Sequence, residues 1–275
     1  MKKIIVPTDF SDCANNASDA AIAIAKKANA EIHFMHILRT PVDWKRLRPE
    51  QEKNFPDILH KIGDAKSELT NLKRRAIGEG LVTETSMVFG NDGIVNHLQD
   101  HSHDFIVMGS HGTKGFKEVI GSNTQKIVRY TSSPVLVIKN KMPDFEVKNI
   151  VFASTFEGSF KPFEKVIELA DIMKAKIHLL NVNMPFHFKE TDEIEAKMEG
   201  FLSKCPRGNC TINIYNALNE ERGIQKFADS INAELIALTT HGKTGFMKMI
   251  SPSIAESLVN HSNKAVLCVN LRNGE

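Results

Sequence analysis

The segment 104–116, DFIVMGSHGTKGF, returns 130 positions later at 234–246 as ELIALTTHGKTGF. A second pair, KIIVPTDF at 3–10 and NIVFASTF at 149–156, lies 146 positions apart. A chain that repeats itself once at such a spacing folds as two copies of one architecture, and 275 residues divide into two units of ordinary domain size. The domains are expected at 1–141 and 147–275, on either side of KNKMPDFEV at 139–147, where charge and a proline follow the last strand of the first copy. The two offsets differ because the first copy carries an excursion at 39–55, polar and holding Trp44, Pro41 and Pro49, which reads as a loop or lid.

Within each copy, short β-branched runs alternate with longer stretches of helical period. In the first copy, strands are expected at 3–7, 32–38, 82–89, 105–108 and 135–138, and helices at 11–28, 51–79, 93–101 and 123–130. Runs such as IIV, FIVM and VLVI lack polar alternation, so both sheet faces are covered, as in parallel sheets flanked by helices. The expected fold class is α/β: two tandem, doubly wound, parallel five-stranded sheets.

Composition excludes several function classes. With 35 basic and 33 acidic side chains the net charge is +2, too balanced for an electrostatic nucleic-acid binder. The apolar run at 20–25 is far short of the roughly 20 residues that span a bilayer, and Pro7, Thr8 and Asp9 end the N-terminal apolar stretch too early for a secretion signal. Four scattered cysteines make no disulfide framework. No membrane and no nucleic acid are expected as partners, and the expected location is the cytoplasm.

In open parallel sheets, ligands bind beyond the carboxyl ends of the strands, where the connections reverse direction. Pro7, Thr8 and Asp9 follow the first strand, Ile37 closes the second, and Met108, Gly109, Ser110, His111 and Gly112 follow the fourth, before Gly121, Ser122 and Asn123 open a helix. Glycines let backbone approach an anion, and free amides at a helix start favour one.

Together, VPTDFS at 6–11, VMGSHG at 107–112, GSNTQKIV at 121–128 and SSPVLVI at 132–138 resemble the universal stress protein family, and the second copy resembles it too. The resemblance implies a nucleotide-binding α-hydrolase-like fold. It also implies that the last strands, 135–138 and 265–269, pair as an intramolecular pseudo-dimer, with a homodimer of whole chains left open. ATP-binding members carry Gly-x2-Gly-x9-Gly-Ser/Thr; here Gly109, Gly112, Gly121 and Ser122 fit except that 113–120 is one residue short. By resemblance, ATP, with or without Mg2+, is the cofactor: Asp9 approaches ribose or adenine, Ile37 contacts adenine through its backbone and Met108 lines the pocket. Gly109, His111, Gly112, Gly121, Ser122 and Asn123 then surround the phosphates, beside Pro7 and Thr8. In the second copy Asp9 becomes Thr155, Gly109 becomes Thr239 and Gly121-Ser122 becomes Pro252-Ser253, so its site is expected to be empty or altered.

Plainer readings stand beside these. Ser122 with Gln125, and Ser253 with Glu256, have capping-box spacing, and Asp9 suits a helix start without any ligand. ALTTHGKT at 237–244 is a phosphate-loop decoy, since Gly245 follows where a helix should run on. Cys205 and Cys210 flank PRGN, and His101 and His103 flank Ser102; neither has a second pair at zinc spacing, and both read as surface features. His33, His36 and His178 read as packed or hydrogen-bonded, and Met173, Met247 and Met249 as filler. Three functions fit: a stress-response regulator that binds ATP in its N-terminal repeat, a module acting through protein contacts without nucleotide, or an enzyme of the wider adenine-nucleotide superfamily. No paired acid and base and no arginine finger can be placed, so weak ATP hydrolysis is the most expected of it.

Overall fold

The computed structural model describes residues 1–90, 93–99, 103–111, 121–157, 160–205, 207–241 and 252–271. Its strands are β1 (Lys3–Pro7), β2 (Glu31–Leu38), β3 (Thr83–Phe89), β4 (Phe105–Gly109) and β5 (Val135–Ile138), then β6 (Asn149–Ala153), β7 (Lys176–Asn183), β8 (Cys210–Asn216), β9 (Leu235–His241) and β10 (Ala265–Leu271). Its helices are α1 (Asp12–Ala28), α2 (Pro49–Glu52), α3 (Pro56–Gly78), α4 (Ile94–Gln99) and α5 (Ser122–Tyr130), then α6 (Lys161–Met173), α7 (Thr191–Leu202), α8 (Glu220–Ser230) and α9 (Pro252–His261). The helix expected at 51–79 is divided because Pro56, which lacks an amide hydrogen, starts a new helix at its first position.

The strands form one sheet in the order β3-β2-β1-β4-β5-β10-β9-β6-β7-β8. Every pairing is parallel except the central one, where β10 meets β5 antiparallel with Val266 opposite Val137, Leu267 opposite Leu136 and Cys268 opposite Val135. The two five-stranded halves are therefore fused edge to edge. Alternation carries Leu136, Ile138, Leu267 and Val269 to a core under α1, α3, α6 and α7, and Val135, Val137, Val266 and Cys268 to a core under α4, α5, α8 and α9. Polar contacts reinforce the seam. Glu256 accepts from Gln125 Nε2 at 2.8 Å and Arg129 Nε at 2.8 Å, while buried Asn270 donates to the Val128 and Thr131 carbonyls, each at 2.7 Å.

The repeat has a structural meaning at the start of its strands. Asp104 accepts from the Lys2 and Lys3 amides, and Glu234, 130 positions on, accepts from the Lys148 and Asn149 amides. Each acid ties the opening of β4 or β9 to that of β1 or β6.

The excursion at 39–55 is not an open loop. Trp44 is 7% exposed, packs with Leu38 and Ile62, and stands 6.3 Å from Phe89 and 6.1 Å from Phe55, ring centre to ring centre. One aromatic side chain thus fastens a polar segment over the ends of β2 and β3. The connection between repeats is pinned as well, with Phe145 and Val147 buried in the core.

Candidate functional site

In each half the strand order reverses direction between the first strand and the fourth, which opens the crevice where β1 and β4 end. The chain leaves β1 through a tight turn: Thr8 Oγ1 accepts from the Phe10 amide at 3.0 Å, and Phe10 sits at φ +63°. The Phe10 ring stacks 4.6 Å from that of His36, whose Nδ1 donates to the Thr8 carbonyl at 2.8 Å. His36 is thus both packed and hydrogen-bonded. Asp9 is exposed at the top of this turn, its Oδ1 accepting from the Ser11 amide at 3.2 Å and hydroxyl at 2.7 Å. Ser11 in turn caps α1 by accepting from the Ala14 amide. Half-buried Ile37 lies near the end of the neighbouring strand.

The end of β4 meets α1 and α5. A side chain on Gly109 would place its Cβ 2.8 Å from the Cys13 carbonyl carbon and 2.9 Å from the Ala14 nitrogen. Ligand approach is therefore not needed to explain this glycine; the first turn of α1 already occupies the space. The Gly121 amide donates to the Ser110 carbonyl at 2.9 Å and Thr124 Oγ1 to the Gly109 carbonyl at 3.0 Å, so α5 begins directly beside the end of β4. Met108 is buried beneath.

The capping box expected from the spacing of Ser122 and Gln125 does not form in α5. Gly121 is the N-cap, no side chain caps that end, and Ser122 is the first helical residue. Gln125 instead reaches Glu256 across the seam, so Glu256, the other expected box partner, is also engaged there. Ser122 and Asn123 are exposed at a helix start without a side-chain cap, where the amides and the dipole favour an anion.

His111, expected beside the phosphates, lies against Ser110 and Cys13. Its Nδ1 meets Ser110 Oγ at 2.8 Å and its Nε2 meets Cys13 Sγ at 3.2 Å, while Cys13 donates to the Lys139 carbonyl at 3.4 Å. Burial pushes the Cys13 thiol up, against the opposing pull of Ser110 and His111. Cys13 is a site neighbour that sequence reasoning missed, because nothing local relates position 13 to position 111. Gly112 and the shortened connection 113–120 lie outside the described residues, as do His101, Met247, Met249 and the decoy positions 243 and 244.

The second repeat keeps the turn and changes its surroundings. Ser154 Oγ accepts from the Phe156 amide at 3.2 Å and Phe156 sits at φ +58°, but its ring joins Phe152 and Phe201 instead of stacking on a histidine. Glu157 pairs with Lys189 and Lys197 over the strand ends. Thr239, in the place of Gly109, is 2% exposed and its hydroxyl has no hydrogen-bond partner among the described residues. The helix phases bear on the missing residue. Buried Ala255, Leu258 and Val259 stand 131 positions after buried Thr124, Ile127 and Val128, whereas Leu235 and Ala265 stand 130 after Phe105 and Val135. The first repeat is one residue short before α5 and recovers it before β5.

The universal stress protein family model matches residues 1–139, nearly all of the first repeat, and 217–270 in the latter part of the second. The chain belongs to the universal stress protein family. Universal stress protein MJ0577 of Methanocaldococcus jannaschii is 30% identical over 155 residues, covering 51% of this chain and 96% of that protein. Universal stress protein YxiE of Bacillus subtilis is 30% identical over 152 residues, 50% of this chain and 98% of that protein. These relatives are about half as long, so this chain carries two universal stress protein units. A crystal structure of a universal stress protein from Archaeoglobus fulgidus superposes with a TM-score of 0.69 over 98% of each chain at 18% identity, a likeness of fold.

Proposed function

We propose that this universal stress protein is a stress-response regulator whose N-terminal repeat binds ATP at the ends of β1, β2 and β4, with the phosphates against the start of α5. The supporting observation is the exposed first turn of α5, without a side-chain cap, held beside β4 by the Gly121–Ser110 and Thr124–Gly109 hydrogen bonds. Thr8 and Asp9 stand at the end of the adjacent strand, where a ribose or base would lie. The residues fit an anionic ligand. Among the described residues no group of three or more carboxylate, histidine or cysteine side chains is placed to hold a metal, so Mg2+ would come with the phosphates. The second repeat, with Pro252 at its helix start and Thr239 at its strand end, is proposed not to bind nucleotide. Hydrolysis is not part of the reading.

The test is calorimetric titration of the full chain with ATP, with and without magnesium, beside Ser122→Glu. A carboxylate at this helix start favours the fold by about 0.3 to 1 kcal/mol, while repelling phosphate. Binding by the unaltered chain, weakened about tenfold or more in the variant without loss of thermal stability, supports the site. No binding at millimolar ATP overturns it. A second reading, action through protein contacts without nucleotide, is favoured by Phe186 and Phe188, which are 92% and 67% exposed after β7.

A further inference from the structure

The second repeat has Thr239 and Pro252 where the first has Gly109 and Gly121, yet it grips α5 of the first across the seam. α5 is nine residues long, and an isolated helix shorter than about 12 residues is marginal in water, so tertiary contacts decide whether its turns persist. Its own repeat holds the start, through Ser110 and Gly109, and the buried face of Thr124, Ile127 and Val128. The other repeat holds the rest. Arg129 Nε donates to Glu256 Oε1 at 2.8 Å, Arg129 Nη2 stands 2.6 Å from the same oxygen, and Gln125 Nε2 donates to Oε2 at 2.8 Å. The Glu256 side chain is 13% exposed, so salt screens this pair less than one on the open surface. At the far end, the side-chain amide of buried Asn270 donates to the Val128 and Thr131 carbonyls, where a helix leaves its last carbonyls without partners of its own.

The clasp is reciprocal but not symmetric. Asn140, 130 positions before Asn270, donates to the Asn263 carbonyl at 3.1 Å, and Lys139 Nζ donates to the Asn260 carbonyl, around the end of α9. In helix phase Glu256 is the counterpart of Gln125, and Asn260 that of Arg129, each pair 131 positions apart. Only α9 carries the carboxylate, and only α5 the guanidinium. We propose that Glu256 and Asn270 are positioning residues for the phosphate-facing start of α5, so that the second repeat braces a binding site it does not itself contain. The proposal rests on the ATP reading above. The amides of Ser122 and Asn123 converge on one anion only while the helix behind them is fixed. A helix ordered before the ligand arrives spares binding the entropy of ordering it, and a loosened one restores that penalty.

The test compares Asn270→Ala with Asn140→Ala in the full chain, since each removes one amide from the seam, at opposite ends of the clasp. Hydrogen exchange of the ligand-free protein, read by mass spectrometry over 121–131 and 252–263, follows the two helices, and calorimetric titration with ATP follows the site. Asn270→Ala is expected to speed exchange in α5 about tenfold and to weaken ATP binding several-fold. Asn140→Ala is expected to speed exchange around the end of α9 and to leave ATP affinity unchanged. Glu256→Arg, which strands no buried carbonyl, should act on α5 as Asn270→Ala does, and adding Arg129→Glu should restore both readouts by re-forming the pair with its charges exchanged. Unchanged exchange in α5, or ATP affinity undiminished by Asn270→Ala and Glu256→Arg, would overturn the brace while leaving the ATP reading intact. Equal losses of affinity from Asn140→Ala and Asn270→Ala would mean general loss of stability and would also overturn it. No ATP binding by the unaltered chain would overturn the ATP reading and the positioning role with it.

Discussion

Gly109→Ala separates two reasons for a glycine at the end of β4. If glycine is there only so that a ligand can approach, a methyl group costs affinity and leaves the empty protein as stable as before. The packing argues otherwise. The added Cβ would lie 2.8 Å from the Cys13 carbonyl carbon and 2.9 Å from both the Cys13 oxygen and the Ala14 nitrogen, all of them backbone. No rotamer change relieves a backbone contact, so α1 must move off the sheet by about half an ångström or more to restore ordinary contact distances of about 3.5 Å. Ala17, Ala21, Ile24 and Ala25 of α1 are each no more than 1% exposed, so that movement loosens a tightly filled layer. Overpacking of this kind costs about 1 to 3 kcal/mol, which for a chain of this size lowers Tm by roughly 2 to 10 °C. Urea and thermal denaturation of the ligand-free protein, followed by circular dichroism, measure it. An unchanged midpoint in both would refute the packing argument and return the glycine to the ligand.

Thr239→Val should raise stability by about 1 to 3 kcal/mol in urea denaturation, since it removes a buried hydroxyl that has no partner among the described residues and keeps the shape; a loss would mean that the hydroxyl is satisfied. Val137→Asp places a carboxylate opposite Val266 in the seam, where residue 137 is 2% exposed, and should cost more than about 4 kcal/mol from lost burial and a stranded charge. Size-exclusion chromatography and urea midpoints identical to those of the parent would contradict the seam. His178 is held below its ordinary value of 6.5 by burial and by Lys176, so the unfolded chain binds its proton more readily. Its share of stability is full above about pH 6.5 and falls as the pH drops below that value. His178→Gln should flatten that part of the pH–stability curve, and a curve of unchanged slope would remove the assignment.

The repeat and its alternation of strand and helix were legible because they are local. Lys3–Pro7 and Val135–Ile138 are strands with the bounds that their β-branched runs suggest, and α1 starts one residue inside the expected span because Ser11 is its cap. The strand ends carrying Thr8, Asp9 and Met108 followed from the same pattern. The Ser122–Gln125 capping box fails for a physical reason: Gln125 has the right spacing, but a carboxylate from the other repeat competes for it. Trp44 likewise looked like part of a polar excursion because Phe89, on which it packs, is distant in sequence.

The amino-acid order alone determined that there are two like halves, that their sheets are parallel and covered, and which residues stand at the strand ends. Periodicity and backbone preference act over a few residues, and the linear chain displays them. Tertiary structure decided that the sheets fuse through β5 and β10, that the first turn of α1 fills the space a side chain on Gly109 would need, that His111 lies against Cys13, and that Arg207 bonds to Asp171 and the Ala175 carbonyl. Each of these depends on which surfaces the closed chain brings within a few ångströms, where short-range packing and desolvation act, and sequence spacing does not encode that distance.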